Sequence, residues 1–136
     1  MVRYLDIADF LLIAEAVLKI PAETLAVVAN LHLADSALNA PSQSFAGTEF
    51  YSSPHEKVAV LGHHLIQNHP LPDGNKRVGY VAMREFAERN GWDWTEPVDD
   101  QVSNETVKTI WSVAAGTMSQ AELCEWVGQR LGFGAQ

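Results

Sequence analysis

Six residues within nine positions carry the chemistry of this chain: His69, Asp73, Gly74, Asn75, Lys76 and Arg77, in the stretch HPLPDGNKR. A glycine ahead of a helix lets the backbone turn tightly. The first N–H groups of that helix have no internal partner, and with the positive end of the helix dipole they form an anion site. Lys76 and Arg77 add full positive charges at the same end. Cations there oppose the dipole, and a bound phosphate resolves the conflict. Asp73 is the kind of single carboxylate that holds Mg²⁺ beside a polyphosphate. His69, four residues upstream, is the side chain best suited to take a proton near neutral pH. Base, metal carboxylate and anion cradle together describe attack of a hydroxyl on a nucleotide phosphate. The same fragments also describe an ordinary loop and helix start, because Asp-Gly turns and Asx caps are common. No G-x-x-x-x-G-K-[ST] loop occurs, so a nucleotide site here is not of the Walker kind.

Helical punctuation surrounds this stretch and must position it. Asp6 caps a first helix expected over 7–18, closed by Pro21. A second is expected over 22–38, with Leu25, Val28, Ala29, Leu31 and His32 near one face. Pro54 opens a third, in which Val58, Leu61 and Leu65 form a buried stripe. The fourth starts at Asn75 or Lys76 and runs to Asn90, with Gly91 as its left-handed stop. A fifth is expected over 102–115, ended by Gly116, and Ser119 with Glu122 makes a capping box for a sixth to Leu131. Between helices two and three, FAGTEFY suits a short hairpin around Ala46-Gly47. Its aromatic residues fit either an ordered flap or a loop anchored to the core. The fold class expected is all-α with one small hairpin.

Bulk composition narrows the rest. A chain of 136 residues with 47% apolar residues suits one domain with a real core. A net charge of -8 argues against nucleic acid and anionic membranes as partners. The single cysteine, Cys124, excludes an internal disulfide, is expected as a small buried residue and fits a reducing, cytoplasmic setting. Acidic residues interrupt the apolar start of the chain, so neither a signal peptide nor a membrane span is expected. His55, His63 and His69 do not share a helical face closely and lack a cysteine or carboxylate pair, so a zinc site is not expected. Trp92 and Trp94 suggest a short extended segment over the core, and Trp111 and Trp126 are expected inside it.

HPLPDGNKR resembles the signature loop of the Fic/Doc superfamily, His-Pro-Phe-x-Asp/Glu-Gly-Asn-Gly/Lys-Arg between two helices. Lys76, where nucleotidyl-transferring members carry Gly, resembles the Doc (death-on-curing) branch. LHLADSALNAPSQSFAGTEFY before the loop and ERNGW after it extend the likeness over roughly residues 25–130. The resemblance implies a compact six-helix bundle with a hairpin flap. It implies His69 as general base, Asp73 as the Mg²⁺ ligand, Gly74 and Asn75 lining the anion hole, and Lys76 and Arg77 gripping phosphates. The flap, with Phe45, Ala46, Gly47 and Thr48, would dock a target protein as an added strand. ATP and Mg²⁺ would be the cofactors, and the terminal phosphate would pass to a Ser or Thr hydroxyl of the target, elongation factor Tu. The chain would be the toxin of a toxin–antitoxin pair. No inhibitory helix ending in Glu-Gly or Glu-Asn is found, since Trp126 follows Glu125, so a separate antitoxin with a disordered segment would inhibit it. Leu71 stands where the family carries Phe, and Tyr80 where AMP-transferring members carry a second Arg. AMP transfer, and a non-catalytic peptide-binding module, are the alternatives.

Overall fold

The computed structural model describes residues 1–96 and 100–132, with side chains for 1–96 and 105–132. Among the described residues seven α-helices occur in order: α1 (Ile7–Leu18), α2 (Ala22–Val28), α3 (Leu31–Asn39), α4 (Pro54–Asn68), α5 (Asn75–Arg89), α6 (Asp100–Ala115) and α7 (Gln120–Arg130). A 3-10 turn (Ala40–Ser42) and the antiparallel pair β1 (Ser44–Phe45) and β2 (Thr48–Glu49) lie between α3 and α4. The all-α class with one small hairpin is as expected, and the hairpin turns at Ala46-Gly47.

The helix expected over 22–38 is two helices, so seven replace the six expected. Ala29 is extended (φ -75°, ψ 151°), and Asn30 restarts the helix by accepting a hydrogen bond from the Leu33 N–H at 3.1 Å. The Asn30 N–H donates to the Pro70 carbonyl at 2.7 Å. The break therefore serves a contact 40 residues away in sequence, which no local signal announces. It also turns Val28, expected on the packed face, out to solvent at 51% exposure, while Leu25 stays buried.

Local chemistry sets the other helix starts. Asp6 and Asp9, Ser53 and Glu56, and Ser119 and Glu122 each form a reciprocal capping box, at α1, α4 and α7. Helix α4 is central, packing against α3, α5, α6 and α7. Its Val58, Leu61 and Leu65 are buried as the apolar stripe requires. Helices α4 and α5 approach closely because Gly79 meets Ile66: a Cβ on Gly79 would lie 2.6 Å from Ile66 Cγ1. Phe86 of α5 stacks on Tyr4 (5.9 Å between centroids) and meets Trp92 edge-on (5.4 Å).

Trp92 and Trp94 lie on a segment without regular secondary structure and pack against the core, Trp94 edge-on to Trp126 at 5.9 Å. Trp126 is buried as expected, but Trp111 is not: its side chain is 64% exposed. Helix α6 turns Ile110 and Val113 inward, and this rotation leaves Val107 and Trp111 outside. Cys124 is only partly buried; burial, with Glu56 and Glu125 nearby, pushes its thiol above the ordinary value. No helix among the described residues is long and apolar enough to cross a membrane.

Candidate active site

Helix α4 ends on His69, which adopts a left-handed backbone (φ 49°, ψ 57°) and leaves its side chain exposed. A residue with a Cβ held there stores about 1–3 kcal/mol, and such positions cluster at functional sites. The chain then dips inward. Leu71 is 4% exposed and belongs to the core. Asn75 closes the loop on it: its Oδ1 accepts from the Leu71 N–H at 2.9 Å, and its Nδ2 donates to the Leu71 carbonyl at 2.8 Å. With Pro70 held by Asn30, the loop is fixed at both shoulders.

Gly74 starts α5 at φ 84°, a conformation that favours glycine, and a Cβ there would overlap Leu18. Its N–H donates to Asp73 Oδ1 at 2.8 Å, which orients the carboxylate at the helix start. The first intrahelical bond into Gly74 comes from the Val78 N–H, at 3.0 Å. The N–H groups of Asn75, Lys76 and Arg77 precede it, and no side chain caps them from the N-cap position. Helices α1, α3, α4 and α7 all carry a side-chain cap at this point.

Both cations of this turn are exposed and already have partners. Lys76 Nζ lies 5.3 Å from the centre of the Trp111 ring. Arg77 donates to the Val17 carbonyl at 2.8 Å, near the negative end of α1. His69, Asp73, Gly74, Asn75, Lys76 and Arg77 thus share one loop and helix start. The Asn75 side chain is committed to Leu71, which leaves its backbone N–H as the group it can offer an anion.

The flap residues stand apart on their own hairpin. Ala46 (φ 53°) and Gly47 (φ 82°) make the turn, pairing Phe45 with Thr48 and Ser44 with Glu49. Phe45 is 75% exposed. Sequence reasoning missed the tether beneath it. Lys57, 2% exposed in α4, donates to Glu49 Oε1 at 2.8 Å, Tyr4 Oη at 3.1 Å and the Pro41 carbonyl at 3.3 Å. Burial pulls its ammonium down, but Glu49 and Tyr4 outweigh this and hold it above the ordinary value. The available signal was a lysine at the head of the apolar run VAVLG, one residue before Val58.

Tyr80 and Glu96 form a second missed pair. The Tyr80 hydroxyl donates to Glu96 Oε1 at 2.6 Å, and the same oxygen accepts from Trp94 Nε1 at 3.1 Å and pairs with Arg84 at 3.0 Å. Burial and Glu96 push the Tyr80 phenol up to about 12. The Tyr80 hydroxyl therefore stays protonated and ties the segment carrying Trp94 and Glu96 to α5.

Among the described residues no three His, Cys, Asp or Glu gather as a metal cage. Asp73 is exposed, and its carboxylate is fixed by the Gly74 N–H. One oriented carboxylate beside an anion site fits Mg²⁺, which takes few protein ligands and keeps its waters and substrate phosphates.

A fold of helices around a signature loop of this kind defines a class, and the comparisons agree: the chain belongs to the Fic/DOC family, whose model matches residues 4–87. Within it the chain is similar to the Toxin Doc of Mycolicibacterium smegmatis, 37% identical over 59 residues, 43% of this chain. The match covers 45% of that relative's own length. No solved structure is a significant match.

Proposed function

We propose that this chain is a Doc-like toxin of a toxin–antitoxin pair, which transfers the terminal phosphate of ATP to a Ser or Thr hydroxyl of a target protein and so blocks translation. Elongation factor Tu is the target this reading names. The observation that carries it is the start of α5: an uncapped helix end at left-handed Gly74, flanked by Asp73, Lys76, Arg77 and the exposed His69. Membership of the Fic/DOC family and the likeness to a Doc toxin support it.

In the reaction, the acceptor hydroxyl gives its proton to the His69 imidazole as its oxygen bonds to the γ-phosphorus. The bond from that phosphorus to the β–γ bridging oxygen breaks, and ADP leaves. The chain supplies position and charge: the N–H groups of residues 75–77 and the two cations face the phosphates, as phosphoryl transfer requires. Asp73 would hold Mg²⁺, which spreads the phosphate charge when bound. The flap docks the target through the strand edge carrying Phe45–Thr48. A separate antitoxin, through a segment that folds on binding, inhibits the enzyme.

Tyr80 bears on which phosphate moves. Its hydroxyl is given to Glu96, so this position offers no guanidinium to a second phosphate. The test is label transfer from ATP to purified elongation factor Tu. Transfer from γ-labelled ATP, reduced at least about 100-fold by His69→Ala, is expected. Transfer from α-labelled ATP would mean AMP transfer instead. Toxicity on expression that survives His69→Ala would mean a non-catalytic module.

A further inference from the structure

A cavity of about 420 Å³ lies between the signature loop and the corner that joins α1 to α2. Ile20, Leu25 and Val28 wall it on one side, and Pro72, Asp73 and Arg77 on the other. We propose that this cavity is an acceptor-side subsite, which takes an aliphatic side chain of the target protein close to the Ser or Thr that receives the phosphate. The proposal rests on the phosphotransfer reading above and adds what the enzyme recognises around the hydroxyl.

The cavity is continuous with the groups which that reading uses. Asp73 and Arg77 stand in its wall. Val28 lies two residues before Asn30, whose N–H holds the carbonyl of Pro70, the residue after His69. A polypeptide that brings a hydroxyl between His69 and a phosphate at the α5 turn therefore runs past this cavity, and the residues beside that hydroxyl meet its wall.

The wall suits an aliphatic side chain better than the other reactant. It has no aromatic face for a base, and the Asp73 carboxylate repels a phosphate unless a cation stands between them. Ile20 and Val28 are nevertheless exposed, with Val27 beside them. Covering such side chains with another aliphatic group removes apolar surface from water. The wall is also built in advance. The helix break at Ala29, fixed through Asn30 and Pro70, turns Val28 outward, and Leu18 in the same wall is the side chain packed against Gly74.

Steady-state kinetics tests this. The substrate is the protein that takes label from γ-labelled ATP in a bacterial lysate, elongation factor Tu on the reading above, with its modified hydroxyl located by mass spectrometry. An aliphatic residue is expected within about three positions of that hydroxyl, the reach of a short extended segment. Val28→Asp and Ile20→Asp are each expected to raise KM for that protein about tenfold. Neither should change kcat or KM for ATP, as when uniform binding of one substrate is lost. Circular dichroism of both variants should match the parent, because both side chains are exposed. Exchanging the target's aliphatic residue for Asp should raise KM as much, and should add little in Val28→Asp. That exchange leaves this chain untouched, so an unchanged KM there overturns the subsite by itself. A modified hydroxyl without an aliphatic neighbour, or a loss shared equally by ATP, would overturn it too. So would a wild-type dimer in sedimentation that Val28→Asp breaks, which would give the cavity to a second copy. Absence of any label transfer by the wild-type chain would overturn the transferase reading itself.

Discussion

Gly74 shows how much of the site depends on single atoms. Its φ of 84° and the nearness of Leu18 leave no room for a Cβ. Gly74→Ala should therefore cost about 1–3 kcal/mol in denaturant unfolding and disturb the turn that aims the N–H groups of residues 75–77. Nucleotide affinity should fall with it. Asn75 works differently. Its two bonds to Leu71 keep the loop closed, so its side chain shapes the loop from within. Such a role is hidden in a sequence, where Asn75 reads as a member of the anion hole. His69, Asp73, Lys76 and Arg77 could be singled out in the sequence because the chemistry proposed for them is borne by residue type and they lie within nine positions. What the residues touch was not legible. Trp111 over Lys76, and Val17 under Arg77, come from distant segments.

Elements whose ends are set by nearby residues could be read in advance. The capping residues Asp6, Ser119 and Glu122, Pro54 at the start of α4 and Gly91 after α5 all stand where local rules put them. The break between α2 and α3 could not be read, because its partner is the Pro70 carbonyl. The face of α6 was equally closed to pattern reading: its apolar positions 107, 110, 111, 113 and 114 are too many for one stripe, and only the packing selects among them. The flap hairpin was legible from its turn, but its tether was not. Replacing Lys57 with Met tests that tether. Removing one partner of a buried ion pair destabilises; Tyr4 Oη and the Pro41 carbonyl lose this donor, while the half-exposed Glu49 is solvated, so Tm should fall by several degrees. The freed Glu49 should loosen the hairpin. Exchange of the Phe50 amide, which bonds to the Gln43 carbonyl at 3.1 Å, should then quicken by about tenfold.

At the scale of the whole molecule, carboxylates join elements and set its response to acid. Ser53 donates to Glu56 at 2.6 Å and, as the main cause, holds that carboxyl below its ordinary value at the start of α4. Asp9 pairs with Arg89 at 3.0 Å, linking α1 to α5; burial raises its carboxyl, but the Asp6 backbone and Arg89 outweigh this and lower it. Groups lowered in the folded state stabilise it fully above the unfolded carboxylate range, about pH 4, and lose that contribution as pH falls through the folded values. Thermal unfolding should therefore be flat near neutrality and drop below about pH 4.5. Ser53→Ala should lessen the drop. The same frame of helices holds the α5 turn open at the surface, and the central claim is that this turn moves a phosphate. Intact-mass spectrometry of elongation factor Tu, incubated with the purified chain, ATP and Mg²⁺, tests that most directly. A gain of one phosphate group, absent with His69→Ala, is the predicted result. A gain of AMP, or an unmodified target in the presence of folded, nucleotide-bound enzyme, would contradict it.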